Sequence, residues 1–279
     1  MFVAPQVIGL IVFIIGPVIV SLLMSFLEIN MVTIESTWVG LTNYQSLFIS
    51  RGFQLSILNT LYFTFVSVPL GMVVAMVVAL ALAQGIRFEI AYRALYFMPT
   101  VTSSAVIAIV WAWMLNPNFG LVNQMLYSIG ITGPKWTASQ EWAMPAVILV
   151  AVWHGFGYNM VLFLAGLKNV SRELYEAAKV DGANSVQRFQ HITLPMISPT
   201  TFFVTVMSII GSFKVFELVF MMTRGGPADA TMVMLLLMYQ VGFNYLKLGQ
   251  AAAISWVLFA FILVATVIQF RASRWVHYG

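Results

Sequence analysis

The chain has 279 residues, of which 61% are hydrophobic and 8% charged, with a net charge of +4 and no cysteine. A mean hydropathy of +0.94 and an apolar share far above the about 45–50% of soluble domains exclude a soluble globular fold, and the lack of cysteine excludes disulfides and thiolate metal sites. The basic residues are spread over the segments between apolar runs, so the positive balance reflects membrane orientation rather than nucleic-acid binding.

A helix crossing about 30 Å of hydrocarbon needs about 20 largely apolar residues. Six such runs occur: Val3 to Leu27, Ser56 to Ala83, Ala94 to Leu115, Met144 to Leu167, Ile197 to Thr223 and Gly249 to Phe270. Barrel strands would be shorter and would alternate polar with apolar, so the expected class is an all-α polytopic membrane protein with six transmembrane helices. The first run has no basic leader and reads as a retained helix; its abrupt apolar start is expected to follow a short polar cytoplasmic lead. In the second run Pro69 and Gly71 mark an expected kink.

The loops after the second and fourth runs, with the C-terminal end, hold Arg87, Arg93, Lys168, Arg172, Lys179, Arg188, Arg271 and Arg274. The opposite loops hold Arg51, Lys135, Arg224 and Lys247. The excess of Lys and Arg on the cytoplasmic side makes the first set, and both termini, cytoplasmic. The outer loops carry turn chemistry in "NPNFG" at Asn116 to Gly120 and "RGGPADA" at Arg224 to Ala230. Trp38, Trp136 and Trp142 fall near the outer water boundary as interfacial anchors. No internal repeat or soluble domain interrupts the pattern, so residues 1–279 read as one transmembrane unit.

The segment after the fourth run, Lys168 to Thr200, is polar in an otherwise oily chain. Ser171 suits a helix N-cap and Glu173 suits the first turn, which predicts a helix over Arg172 to Val180. Gly182 is placed to reverse the chain in a left-handed conformation, and Asn184 or Ser185 can cap a second short helix through Ile192, before Pro195. Leu174, Ala177 and Ala178 share one face of the first helix, and Phe189 and Ile192 share one face of the second. Such a face packs on the chain's own helix ends, or it is offered to a soluble partner, with Glu176 and Asp181 as polar latches.

The fifth run alone contains charges, Lys214 and Glu217. A charge inside the membrane is costly unless paired or hydrated and marks a functional candidate. Three apart on one helix, the two can face each other as an ion pair; a structural pair, or Lys214 reaching outward, is the alternative to substrate contact. A secondary carrier would more usually show an acidic relay or a discontinuous helix at mid-membrane; apart from Lys214 and Glu217 the sequence shows nothing of the kind. Three scattered histidines and nine acids supply no enzyme site or metal site.

"EAAKVDGANSVQRFQHITLP" resembles the EAA loop of binding-protein-dependent ABC importer permeases: Glu-Ala-Ala, a Gly four residues after the second Ala, and a later Ile-x-Leu-Pro. Glu176, Ala177, Ala178, Gly182, Ile192, Leu194 and Pro195 match. "FVAPQVIGLIVFIIGPV", "WVGLTNYQSLF", "NTLYFTF", "LAGLKNVSRELYEAAKVDGA" and "FELVFMMTRGGPADAT" are similar to the carbohydrate-type, MalF-like permeases over essentially the entire chain. The extended outer domain and eight helices of the maltose subunit are absent, as in the shorter sugar and glycerol-phosphate permeases. Glu217 stands where that subgroup often has Asp, and the charge is kept.

The resemblance implies a type I ABC importer permease fold in a bacterial or archaeal plasma membrane, moving a sugar, polyol or glycerol phosphate, with no catalysis by this chain. It implies a second homologous permease subunit, two ATPase subunits that bind ATP and Mg, and an extracytoplasmic sugar-binding protein; the chain itself holds no cofactor and no G-x-x-x-x-G-K-[ST] phosphate loop. Loop 168–197 is then the coupling loop, with Leu174, Glu176, Ala177, Ala178, Asp181, Gly182 and Phe189 at the ATPase. Sugars are held by hydrogen bonds to hydroxyls and by stacking on aromatic rings. The fourth and fifth helices offer Trp153, Gly155, Tyr158, Asn159, Ser208, Ser212, Lys214 and Glu217 for that purpose. Ordinary helix packing is the other account of each aromatic.

Overall fold

The computed structural model describes residues 3–30 and 35–273. Arg274 and the expected cytoplasmic ends of the chain lie outside the described residues. In chain order the elements are α1 (Ala4–Met24), a hairpin of β1 (Leu27–Asn30) and β2 (Glu35–Trp38), α2 (Thr42–Ile49), α3 (Arg51–Ala83), α4 (Glu89–Val101), α5 (Ser104–Met114), α6 (Leu121–Ser128), α7 (Gln140–Lys168), α8 (Arg172–Val180), α9 (Ser185–Met196), α10 (Ser198–Phe213), α11 (Glu217–Met222), α12 (Met234–Asn244) and α13 (Leu248–Ala272). The chain is mostly helical, and the antiparallel hairpin, in register Leu27 to Trp38 and Asn30 to Glu35, is a small addition to the expected all-α class.

Among the described residues four helices, α1, α3, α7 and α13, are each long and apolar enough to cross a membrane, and the number rises to as many as six when each bent pair is taken as one span. The third apolar run, Ala94 to Leu115, is therefore a correction to the expected single straight helix: α4 and α5 meet at 94°. Pro99 and the β-branched residues Thr100, Val101 and Thr102 weaken the helix there, and Thr102 and Ser103 are extended. The freed backbone is satisfied from α7: His154 Nε2 lies 3.1 Å from the Thr102 carbonyl, and Thr100 Oγ1 donates to the His154 carbonyl at 3.0 Å. Broken helices survive at membrane depth where protein supplies such partners.

The fifth run is also discontinuous. Helix α10 ends at Phe213, residues 214–216 are non-helical, and α11 starts at Glu217. Discontinuous helices, expected more usually in a secondary carrier, thus occur in this chain. The second loop helix, α9, also departs from expectation by running past Ile192 and Pro195 to Met196 before bending 67° into α10. A wide π turn at Phe189–Thr193 makes room ahead of the proline ring, which would otherwise press on the preceding turn. By contrast α3 continues through Pro69 as one 33-residue helix.

Between apolar helices in lipid, close backbone approach replaces the hydrophobic drive, so small residues mark the contacts. Ala75 and Ala79 of α3 are fully buried in a cluster with Phe156, Met160 and Phe163 of α7. A Cβ at Gly157 would meet the Tyr96 carbonyl, and one at Gly166 would meet the Thr200 side chain. These contacts make α3 and α7 the central pair, with α4 and α10 packed on it.

Gly249, in the first turn of α13, sits against the Leu27 carbonyl, where buried Asn43 donates to Ser25 O at 2.9 Å and to Leu27 O at 3.0 Å. Gly249→Ala forces a methyl into this backbone contact and is expected to cost about 1–3 kcal/mol. Thermal unfolding of the purified protein checks this; an unchanged melting temperature contradicts it.

Candidate functional site

Two sites emerge, a cavity within the helices and the polar loop that ends them. The cavity, of about 520 Å3, lies among α3, α5, α7, α10 and the break before α11. Phe63 and Leu218 on its wall belong to one buried cluster and Phe156 to another, so it occupies the junction of the two. On α7, Ala151, Gly155 and Asn159 follow each other four apart along one face; on α10, Ser208, Gly211 and Ser212 do the same at three and four. Asn159 Nδ2 donates to Ser208 Oγ at 3.2 Å, and Ser212 Oγ, buried, bonds Thr64 Oγ1 at 3.0 Å.

Six of the eight residues expected at a substrate site line this cavity: Gly155, Asn159, Ser208, Ser212, Lys214 and Glu217. Trp153 and Tyr158 do not. Trp153 lies about 160° around the helix from Gly155 and packs edge-on against Trp111 at 5.3 Å between centroids; Tyr158 is exposed.

The expected ion pair of Lys214 with Glu217 is absent among the described residues. The helix break removes the geometry that would have brought them together. Lys214 instead caps the C-terminal end of α10 and Glu217 occupies the first turn of α11, each the sign that the local helix dipole favours. Glu217 accepts a hydrogen bond from Ser104 at the start of α5, so the two helix breaks are joined across the cavity. Ser67, Thr64 and Ser104 are the polar residues here that the sequence reading missed. Isolated hydroxyls in apolar runs give no periodic signal.

The loop follows its local rules closely. Ser171 Oγ accepts from Glu173 N at 3.2 Å, and α8 spans Arg172–Val180. Gly182 has φ +80°, Ala183 N donates to Ala178 O at 2.8 Å and Gly182 N to Lys179 O at 3.1 Å, which together form the Schellman end of a helix. Asn184 and Gln187 form a reciprocal capping box at the start of α9. Ser171→Ala is expected to cost the loop helix about 1 kcal/mol, checked by faster amide exchange over residues 172–180 than in the parent protein.

Leu174, Glu176, Ala177, Asp181 and Gly182 are exposed and Ala178 is partly so. Ala178, Asp181 and Gly182 line a notch of about 320 Å3 between α8 and α9. Phe189 is turned the other way, half-buried toward the helix ends. Tyr175 and Thr193, linked through their hydroxyls at 2.9 Å, hold the two loop helices together.

Comparison with known proteins agrees with this arrangement. Residues 67–278 match the family model described as "Binding-protein-dependent transport system inner membrane component". The chain is 34% identical over 280 residues to the sn-glycerol-3-phosphate transport system permease protein UgpA of Pectobacterium atrosepticum, covering 99% of this chain and 94% of the relative. It is 34% identical over 276 residues to the arabinooligosaccharides transport system permease protein AraP of Bacillus subtilis, covering 98% and 87%. Its fold is similar to a chain of a bacterial alginate ABC transporter in complex with an alginate pentasaccharide-bound periplasmic protein, with TM-score 0.86, 25% identity, and coverage of 98% and 92%. A helical membrane cavity, a capped polar loop and these matches together make this chain a member of the family of inner membrane components of binding-protein-dependent transport systems, a transport subunit of the ABC importer permeases and not an enzyme.

Proposed function

We propose that this chain is the permease subunit through which an ATP-driven importer passes a sugar, such as a di- or oligosaccharide, or a related polyol or glycerol phosphate, into the cytoplasm. One observation carries the reading. Asn159 on α7 and Ser208 and Ser212 on α10 reach the cavity from the two helices that run directly into and out of the loop at 168–197. A rigid, doubly capped loop held by an ATPase moves these helices as bodies, so closure of the ATPases reshapes the cavity between them.

In this reading residues 1–279 form one permease unit of six spans with both termini cytoplasmic, each bent pair counting once. Leu174, Glu176, Ala177, Ala178, Asp181 and Gly182 dock on the ATPase, and Phe189 braces the loop from behind. Asn159, Ser208, Ser212, Lys214 and Glu217 meet the hydroxyls of the substrate, while Gly155 leaves room for it. Phe63, Phe156 and Phe216 give the apolar faces on which sugar C–H groups rest. One such chain supplies half a pathway, which calls for a homologous second permease, two ATPase subunits carrying ATP and Mg, and an external binding protein; the relatives that transport glycerol phosphate and arabinooligosaccharides, and the alginate importer, support that assembly and cargo class.

The test is uptake of labelled oligosaccharides and glycerol phosphate into proteoliposomes holding the full set of subunits. Uptake is expected only with internal-facing ATPase supplied with ATP and with binding protein outside. Uptake driven by an ion gradient without ATP contradicts the proposal.

A further inference from the structure

Behind the loop, away from the cavity, lies a second recess of about 860 Å3, bounded by the ends of α3 and α7, the start of α4 and both loop helices. Its lining is mixed. Leu80, Ala83 and Leu167 bring apolar side chains from the ends of the two long membrane helices, and Lys168, Arg172 and Arg188 bring three cations against one carboxylate, Glu89. Lys168 and Glu89 are paired at 2.5 Å, each at the helix end whose dipole favours its charge. That pair leaves the two arginines over. Among the described residues neither is ion-paired, and Arg188, half-buried, donates to Ser185 Oγ at 3.1 Å.

A surplus of guanidinium charge in a recess is a phosphate-binding arrangement, because the planar fork offers two donors to two oxygens at once. Position and lining narrow the source. A soluble phosphate would use the basic residues alone, whereas a recess that joins basic residues to apolar helix ends at the membrane boundary suits a headgroup with the first carbons of its chains. We propose that this recess binds the phosphate of an anionic phospholipid from the cytoplasmic leaflet, held by Arg172 and Arg188. The consequence is mechanical: a lipid there braces the inner side of the coupling loop while the ATPase holds its outer side.

The assembled importer, purified in detergent, can be titrated with phosphatidylglycerol, phosphatidylcholine or inorganic phosphate and the bound species read by native mass spectrometry. Phosphatidylglycerol is expected to bind and phosphatidylcholine to bind much more weakly. The R172Q/R188Q variant should weaken phosphatidylglycerol binding by at least about tenfold, and R172K/R188K, which keeps both charges but loses the planar fork, should bind between the two with the same melting temperature as the parent. Equal phosphatidylglycerol binding by the parent and R172Q/R188Q overturns the site. Inorganic phosphate that binds more tightly than phosphatidylglycerol, and displaces it, overturns the lipid as its source.

Discussion

Gly182→Val is expected to cut ATP-driven uptake by roughly thirtyfold or more while the chain still inserts into the membrane. Gly182 holds φ +80° and nothing lies within 4 Å of the Cβ that a substitution would add. The penalty is therefore backbone strain alone, with no clash to repack. A β-branched residue forced into the left-handed region costs about 2 kcal/mol, and a turn that is correct in only a small fraction of molecules lowers the apparent docking affinity by that fraction, near thirtyfold. The series is diagnostic: Gly182→Asn, which tolerates the left-handed region, should keep most activity, with Gly182→Ala between the two. Glu176→Lys tests the same surface by charge. Glu176 is exposed and makes no ion pair among the described residues, so reversal leaves the fold intact and removes docking. Uptake and binding-protein-stimulated ATP hydrolysis should fall together in both variants; wild-type uptake in Gly182→Val would refute the role of the turn.

That the loop was readable from sequence and the cavity only in part has a physical cause. Helix caps and left-handed turns are decided by residues within four positions of each other, so Ser171, Gly182 and Asn184 dictate their geometry locally. The two helix breaks are not local decisions. An apolar run has the same hydropathy whether straight or bent at 94°, and the bend between α4 and α5 depends on His154, more than fifty residues away. The pairing of Lys214 with Glu217 failed for this reason, since it assumed a continuous helix. Trp153 was legible in principle. Helical periodicity puts it about 160° from Gly155 and about 120° from Asn159, away from the face that lines the cavity.

The breaks also explain why charged residues sit in the fifth run at all. A helix interrupted inside the membrane exposes backbone carbonyls at one end and amides at the other, and Lys214 and Glu217 stand at those ends. Ser104 then ties Glu217 to the first turn of α5, beside the other break. Two discontinuities share one cavity and one hydrogen bond.

Two glycines on α7 should give opposite outcomes, and this separates passage from packing. Gly155 lines the cavity and a Cβ there meets nothing within 4 Å. Gly155→Phe is therefore expected to fold and melt as the parent does, because its ring occupies space that is already open. Uptake should fall close to zero while the binding protein still stimulates ATP hydrolysis, since the loop and its docking face are untouched. Gly157, two residues on, faces the backbone of α4, where a Cβ would strike the Tyr96 carbonyl. Backbone cannot step aside as a flexible side chain can, so Gly157→Ala should cost about 1–3 kcal/mol and lower the melting temperature. Its uptake per folded molecule should remain near that of the parent. If Gly155→Phe transports normally, the cavity is not on the route; if Gly157→Ala melts like the parent, the tight α4 to α7 contact is not what holds the bent helix in place.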